Sequence, residues 1–121
     1  GNCMKMDDVV NSNEDLRSLL LTLRFWVTGS ICDTVLDYAL HLPFECVEEI
    51  LSEFYRDFSV LIHVKALRSA KAPFDQAICS GELTLVQYFL SRGHIWPVYT
   101  WVLVAKAGNI EMMKYAVQAG C

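Results

Sequence analysis

Gly81-Glu82-Leu83-Thr84-Leu85-Val86-Gln87-Tyr88-Phe89-Leu90-Ser91-Arg92-Gly93 aligns without a gap over Gly108-Asn109-Ile110-Glu111-Met112-Met113-Lys114-Tyr115-Ala116-Val117-Gln118-Ala119-Gly120. Both flanking glycines and the tyrosine coincide, and Leu83, Leu85, Val86 and Leu90 meet Ile110, Met112, Met113 and Val117. The repeat period is therefore the step from position 81 to position 108, or 108 − 81 = 27. Upstream, Ala77-Ile78 stands four and three residues before Gly81, and Val104-Ala105 stands at the same distances before Gly108. The apolar spacing within each copy is helical, and the period covers two helices.

Physical chemistry assigns roles to the matched positions. Gly81 and Gly108 allow the chain to reverse between helices, while Gly93 and Gly120 end the second helix of each pair in a left-handed conformation that a side chain would penalise. Ala77 and Ala105 are small enough for the first helices to lie close to their neighbours. Leu85, Val86, Phe89 and Leu90 supply faces to bury between hairpins.

Ala72-Pro73-Phe74-Asp75-Gln76-Ala77-Ile78-Cys79-Ser80-Gly81 and the residues after it resemble the ankyrin repeat pattern Thr-Pro-Leu-His-x-Ala-Ala-x-x-Gly-x-x-Glu-Val-Val-x-x-Leu-Leu-x-x-Gly. The likeness covers residues 72–121 in two copies. It implies an all-α, ankyrin-like solenoid of helical hairpins with short connectors. The usual ankyrin period is about 33 residues, and this one is six shorter. The shortening falls in the connector His94-Ile95-Trp96-Pro97, which is too brief for a long β-turn finger and is similar to the Gly-Cys-Pro-Trp type connector of short-period members. Gly120-Cys121 would open another such connector, so the chain is read either as a fragment of a longer array or as ending on a cap.

Working outward, residues 1–11 show little apolar periodicity and are expected to be flexible, with order beginning near Asn11. Ser12 or Asn13 is placed as the cap of a helix carrying Glu14 and Asp15 in its first turn. Leu16, Leu19, Leu20, Leu23, Trp26 and Val27 form its apolar stripe and Gly29 its stop. A shorter helix begins at Asp33 or Thr34 and ends before Pro43. Pro43 suits the first turn of the next helix, whose Val47, Ile50, Leu51, Phe54 and Phe58 share one stripe while Glu45, Glu48, Glu49 and Glu53 face water. Residues 33–57 therefore allow a degenerate repeat, although Pro43 stands where a glycine is expected. Residues 59–69 fit a helix, with Val60-Leu61-Ile62 leaving a strand open. The whole of 1–121 is read as one helical domain, residues 12–71 helical and 72–121 two ankyrin-like repeats.

Composition narrows the function. Hydrophobic residues make up 54% of the 121 positions and charged residues 20%, ample for a continuous core. The net charge of −4 offers no basic field to displace counterions from a phosphate backbone, so nucleic acid is not expected as a partner. The densest basic group, Lys65, Arg68 and Lys71, is read as a solvated helix face. Five cysteines without a Cys-x-x-Cys pair are read as reduced, and His41, His63 and His94 lie too far apart for metal-ligand spacing, so no metal or cofactor is expected. No apolar run approaches a membrane span and no signal peptide is evident, which gives a cytoplasmic or nuclear expectation. Gly1-Asn2-Cys3 resembles an acylation start, but Lys5 stands where Ser or Thr is required, and a cleaved-tag remnant is the preferred reading.

Catalytic motifs are missing from the sequence. There is no Gly-rich phosphate loop, nucleophile elbow or His-Glu-x-x-His helix, the carboxylate pairs Asp7-Asp8 and Glu48-Glu49 fall on polar stretches, and Cys79 has no histidine placed as a base. Leu16-Arg17-Ser18-Leu19-Leu20 matches a Leu-x-x-Leu-Leu docking motif but lies on the core stripe. No enzymatic role is expected. The ankyrin resemblance instead implies an adaptor or scaffold that binds another protein through first-helix faces and connectors. Carried over residue by residue, its contacts are Gln76, Cys79, Ser80, Leu103, Lys106 and Ala107, with His94 and Trp96 from the connector. Trp96 is either an anchor for the partner or a packing residue over the adjoining hairpin. The alternative is a structural or capping segment of a larger repeat protein, and self-association is left open.

Overall fold

The computed structural model describes residues 6–26 and 33–120, with eight α-helices and no strand among them. Residues 1–64 form one compact unit and residues 65–121 another.

In the first unit α1 (Met6–Trp26) lies against both α2 (Asp33–His41) and α3 (Phe44–Phe54). The helix starts well before the expected cap. Asn11-Ser12-Asn13 lies inside it, because the propensity penalty of such residues is below about 0.7 kcal/mol each and does not stop a helix whose later turns are buried. The helix thus begins ahead of the start expected near Asn11, while the proposed Gly29 stop and the Gly1-Asn2-Cys3 motif lie outside the described residues. Leu16 and Leu20 are fully buried, so two of the three leucines of the docking motif belong to the core.

The α2–α3 turn consists of Leu42 and Pro43, with Pro43 as the N-cap residue of α3 and not in its first turn. Leu42 is buried and its amide donates to the Tyr38 carbonyl at 3.0 Å. Among the described residues only glycines have positive φ, so this turn reverses without the left-handed residue used in the other two hairpins. On α3, Val47, Leu51 and Phe54 are fully buried, and Phe58 beyond it is 1% exposed, whereas Glu45, Glu48, Glu49 and Glu53 are exposed as the stripe predicts. Arg24 closes the unit from α1. Its guanidinium stacks 4.4 Å from the Phe54 ring centre, and its Nε donates to Asp57 Oδ2 at 2.5 Å.

Residues 59–63 form a 3-10 helix running into α4 (Val64–Ser69), which resolves the helix-or-strand ambiguity in favour of helix. A strand would need a pairing edge, and the described residues of the first unit offer only helices.

The second unit contains α5 (Pro73–Ser80), α6 (Leu83–Ser91), α7 (Thr100–Ala107) and α8 (Ile110–Gln118). Every bound of α7 and α8 is that of α5 and α6 displaced by one repeat period, from 100 − 73 at the first start to 118 − 91 at the last end. Left-handed glycines recur on the same period, with φ of 74° at Gly81 and 64° at Gly108, then 90° at Gly93 and 79° at Gly120. Each two-residue turn reverses the chain into a hairpin, and α5 packs on α6 and closely on α7.

Ala77 and Val104 occupy equivalent positions one period apart and both are fully buried. Ala105 is exposed, so its expected role in close helix approach passes to Val104. The helical register explains the shift: Ala105 matches Ile78, not Ala77.

Two bonds tie the hairpins together. Asn109 caps α8 by accepting from the amides of Glu111 and Met112, while its own side-chain amide donates to the Gly81 carbonyl at 2.8 Å. Tyr99 donates its hydroxyl to Asp75 Oδ2 at 2.5 Å, linking the connector to α5. Asn109→Ala removes a helix cap and the inter-turn bond, and is expected to lower stability by about 1–2 kcal/mol. Asn109→Asp keeps the capping oxygen but loses the donor, so chemical denaturation should separate the two contributions.

Candidate partner-binding surface

The connector between the hairpins is fastened at both ends. After α6, the His94 amide donates to the Phe89 carbonyl and the Gly93 amide to the Leu90 carbonyl, both at 3.1 Å, the paired bonding of a Schellman cap. The His94 ring lies 5.0 Å from Phe89 and 5.7 Å from Phe74, completing the apolar contact such a cap uses. Before α7, the Pro97 carbonyl accepts from both the amide and the hydroxyl of Thr100, which satisfies that side chain in its buried position. Six residues, His94 to Tyr99, separate Gly93 from α7.

Trp96 packs with tilted rings against Phe74 at 5.6 Å and Tyr115 at 6.4 Å between ring centres, and is half-buried. Of its two sequence readings, packing over the adjoining hairpin describes this geometry. Phe74 is the hub of the cluster, with Phe89, His94 and Trp96 all against its ring.

The first-helix residues divide. Gln76 and Lys106 are exposed, as is His94, and Cys79, Ser80 and Ala107 are half-buried. Ser80 is engaged locally, donating to the Ala77 carbonyl at 2.6 Å and accepting from the Glu82 amide at 3.2 Å. Cys79 is a free thiol. Leu103 is only 7% exposed and its assignment as a partner contact is corrected: the position matches exposed Gln76, but a leucine on a helix packed against α5 is drawn into the core.

Sequence reasoning missed the exposed apolar side chains Ile95, Val98, Tyr99, Trp101 and Val102 around the connector and the start of α7. Their signal was available in the register. Ile95, Val98, Tyr99 and Val102 stand one period after Arg68, Lys71, Ala72 and Asp75, so apolar residues replace mostly charged ones at equivalent sites.

No group of three His, Cys, Asp or Glu side chains is arranged to hold a metal ion among the described residues. The hydrogen bond to Asp75, then burial and the nearby carboxylate charge, push the Tyr99 hydroxyl above its ordinary value of 10.0. Tyr55 is raised by burial and by Glu48. Because both folded values are raised, their stabilising contributions are complete below about pH 10 and are lost as pH climbs through the folded values. Phenolate absorbance should therefore show late-titrating tyrosines in the folded chain, and Tyr99→Phe should remove one of them.

Comparison with known proteins returns no match: no protein-family model fits the chain, and no curated protein and no solved structure matches it. No described helix is long and apolar enough to cross a membrane.

Proposed function

We propose that the chain is a protein-binding module of the short-period ankyrin-repeat type, an adaptor that engages its partner through first-helix faces. The observation supporting this most strongly is the shared one-period displacement of helix bounds and left-handed glycines, combined with the packing of α5 on α7. In such stacks conserved faces are buried between hairpins, and variable first-helix positions remain for recognition. Gln76 on α5 and Lys106 on α7 carry that role, with His94 from the connector lying between them in sequence. Trp96 and Leu103 serve the packing that holds these helices. A cytoplasmic or nuclear protein partner follows from the reading of the five cysteines as reduced.

The test is capture by the immobilised chain, with bound proteins identified by mass spectrometry. The double variant Gln76→Arg with Lys106→Glu should retain native helicity and lose at least about tenfold in affinity for the captured partner. Glu14→Lys, an exposed change on α1, should leave capture unchanged. Capture insensitive to the double variant would count against recognition through the first helices.

A further inference from the structure

We propose that the connector end of residues 65–121 binds an acidic segment of a partner protein, whose carboxylates meet Arg68, Lys71 and Arg92 and whose apolar side chains meet Ile95 and Val98. The net charge of −4 conceals a division between the two units of the chain. Residues 1–64 hold four Lys and Arg against eleven Asp and Glu, or 4 − 11 = −7, whereas residues 65–121 hold six against three, or 6 − 3 = +3. The second unit thus attracts anions that the first repels.

Topology gathers this excess at one end. The Tyr99–Asp75 bond joins the starts of α5 and α7, and the Asn109–Gly81 bond joins the turns after them, so the two helices lie side by side and run in the same direction. After the turn at Gly81, α6 runs back along α5 and returns Arg92 and His94 to the end where α5 starts. Arg68 and Lys71 reach the same end, because α4 stops at Ser69 and Pro73 opens α5. Lys65, Arg68, Lys71 and Arg92 against Asp75 give 4 − 1 = +3 here, while Lys106 and Lys114 cancel Glu82 and Glu111 in the rest of the unit, 2 − 2 = 0. Asp75 is itself engaged by the Tyr99 hydroxyl. Lys65, Lys71 and Arg92 are exposed, and the Arg92 guanidinium lies 5.1 Å from the Tyr88 ring centre, which holds its charge at the end of α6.

Ile95 and Val98 belong to the same connector and are 86% and 101% exposed. Exposure at this place belongs to the position in the repeat: Lys71 and Ala72, one period before Val98 and Tyr99, are exposed although a further hairpin packs beyond them. Cations interleaved with aliphatic side chains fit a polypeptide that carries both carboxylates and apolar residues. Nucleic acid fits less well, because aliphatic groups give bases no stacking face. An anionic bilayer or a long polyanion would also act on the whole chain and its −4, whereas a short acidic segment meets this end alone within the screening length of about 8 Å. The inference rests on the protein-binding reading and supplies the chemistry of the partner, through side chains other than Gln76 and Lys106.

Selection of short random peptides displayed on phage against the immobilised full chain tests the proposal, with the Kd of enriched peptides measured by fluorescence anisotropy. Enriched peptides should carry net negative charge together with apolar residues, and should bind more weakly as salt rises from about 50 to about 500 mM. Lys71→Glu with Arg92→Glu should raise their Kd at least about tenfold with circular dichroism unchanged, and Lys71→Glu alone serves if the pair disturbs folding. Failure to enrich acidic peptides, or an affinity that the folded variants leave unchanged, would overturn the proposal. Tighter binding to polyuridine RNA or to phosphatidylserine vesicles would do the same. Peptides that lose affinity only in Gln76→Arg with Lys106→Glu would also sink it, while leaving the first-helix reading intact.

Discussion

Phe74→Ala should destabilise residues 65–121 by about 3–5 kcal/mol, the usual cost of emptying a buried aromatic site. Phe74 is 5% exposed and touches three rings, so its removal leaves Phe89, His94 and Trp96 facing a void on different sides. A unit as small as residues 65–121 is expected to have only roughly 3–9 kcal/mol of stability, which makes this one change comparable to the whole. Thermal denaturation should show a fall in Tm of at least about 12 °C, or a chain already partly unfolded at room temperature. Trp101→Ala supplies the internal control. It alters a large aromatic residue at the equivalent position, but one 45% exposed, and should cost less than about 1 kcal/mol. Equal effects at the two positions would contradict the assignment of one as hub and the other as an exposed side chain.

Phe54→Ala is the corresponding break in residues 1–64, again with an expected loss of about 3–5 kcal/mol. The ring is fully buried, lies 6.5 Å from Phe58 and carries the Arg24 guanidinium on its face. Truncation removes core volume and the cation–π contact together, although the Arg24–Asp57 ion pair can persist. Phe54→Leu retains most of the volume and should cost less than about 1.5 kcal/mol beyond the lost cation–π term. Amide exchange can read both variants within this unit. Protection of α1, α2 and α3 should collapse in Phe54→Ala and survive in Phe54→Leu, whereas unchanged protection in Phe54→Ala would exclude Phe54 from the centre of the core.

The features visible in sequence were those encoded over a few neighbouring residues. Left-handed glycines at 81 and 108 interrupt helical stripes at a fixed interval, so the turn and both adjoining helices could be located from local chemistry. The glutamates of α3 likewise marked its solvent face because their spacing opposes the buried stripe. Burial at the candidate surface was less legible because it depends on what another segment covers. Leu103 and Gln76 share a register position, yet one is buried and the other exposed. Phe74 and Trp101 reverse that outcome with two similar side chains. Trp96, read from sequence as either an anchor or a packing residue, packs against Phe74 and Tyr115, contacts separated by many residues in the chain.

The amino-terminal helix illustrates a different limit. Asn11-Ser12-Asn13 offered several capping side chains, and local preference alone placed a boundary there. Capping groups can also lie within a helix when continuing the backbone hydrogen bonds outweighs a small propensity loss, as in the Met6–Trp26 helix. By contrast, Asn109 both begins α8 and reaches Gly81, combining a local cap with a tertiary bond that sequence spacing did not disclose.

The most direct measurement of the central claim is an isotope-edited NMR structure restraint set for residues 72–121. The stacked-hairpin account predicts helical Cα shifts through α5, α6, α7 and α8, Overhauser contacts from the Asn109 side-chain amide to Gly81, and contacts between α5 and α7 side chains. Extended-chain shifts with cross-strand contacts in this region, or four helices lacking the α5–α7 contacts, would contradict it.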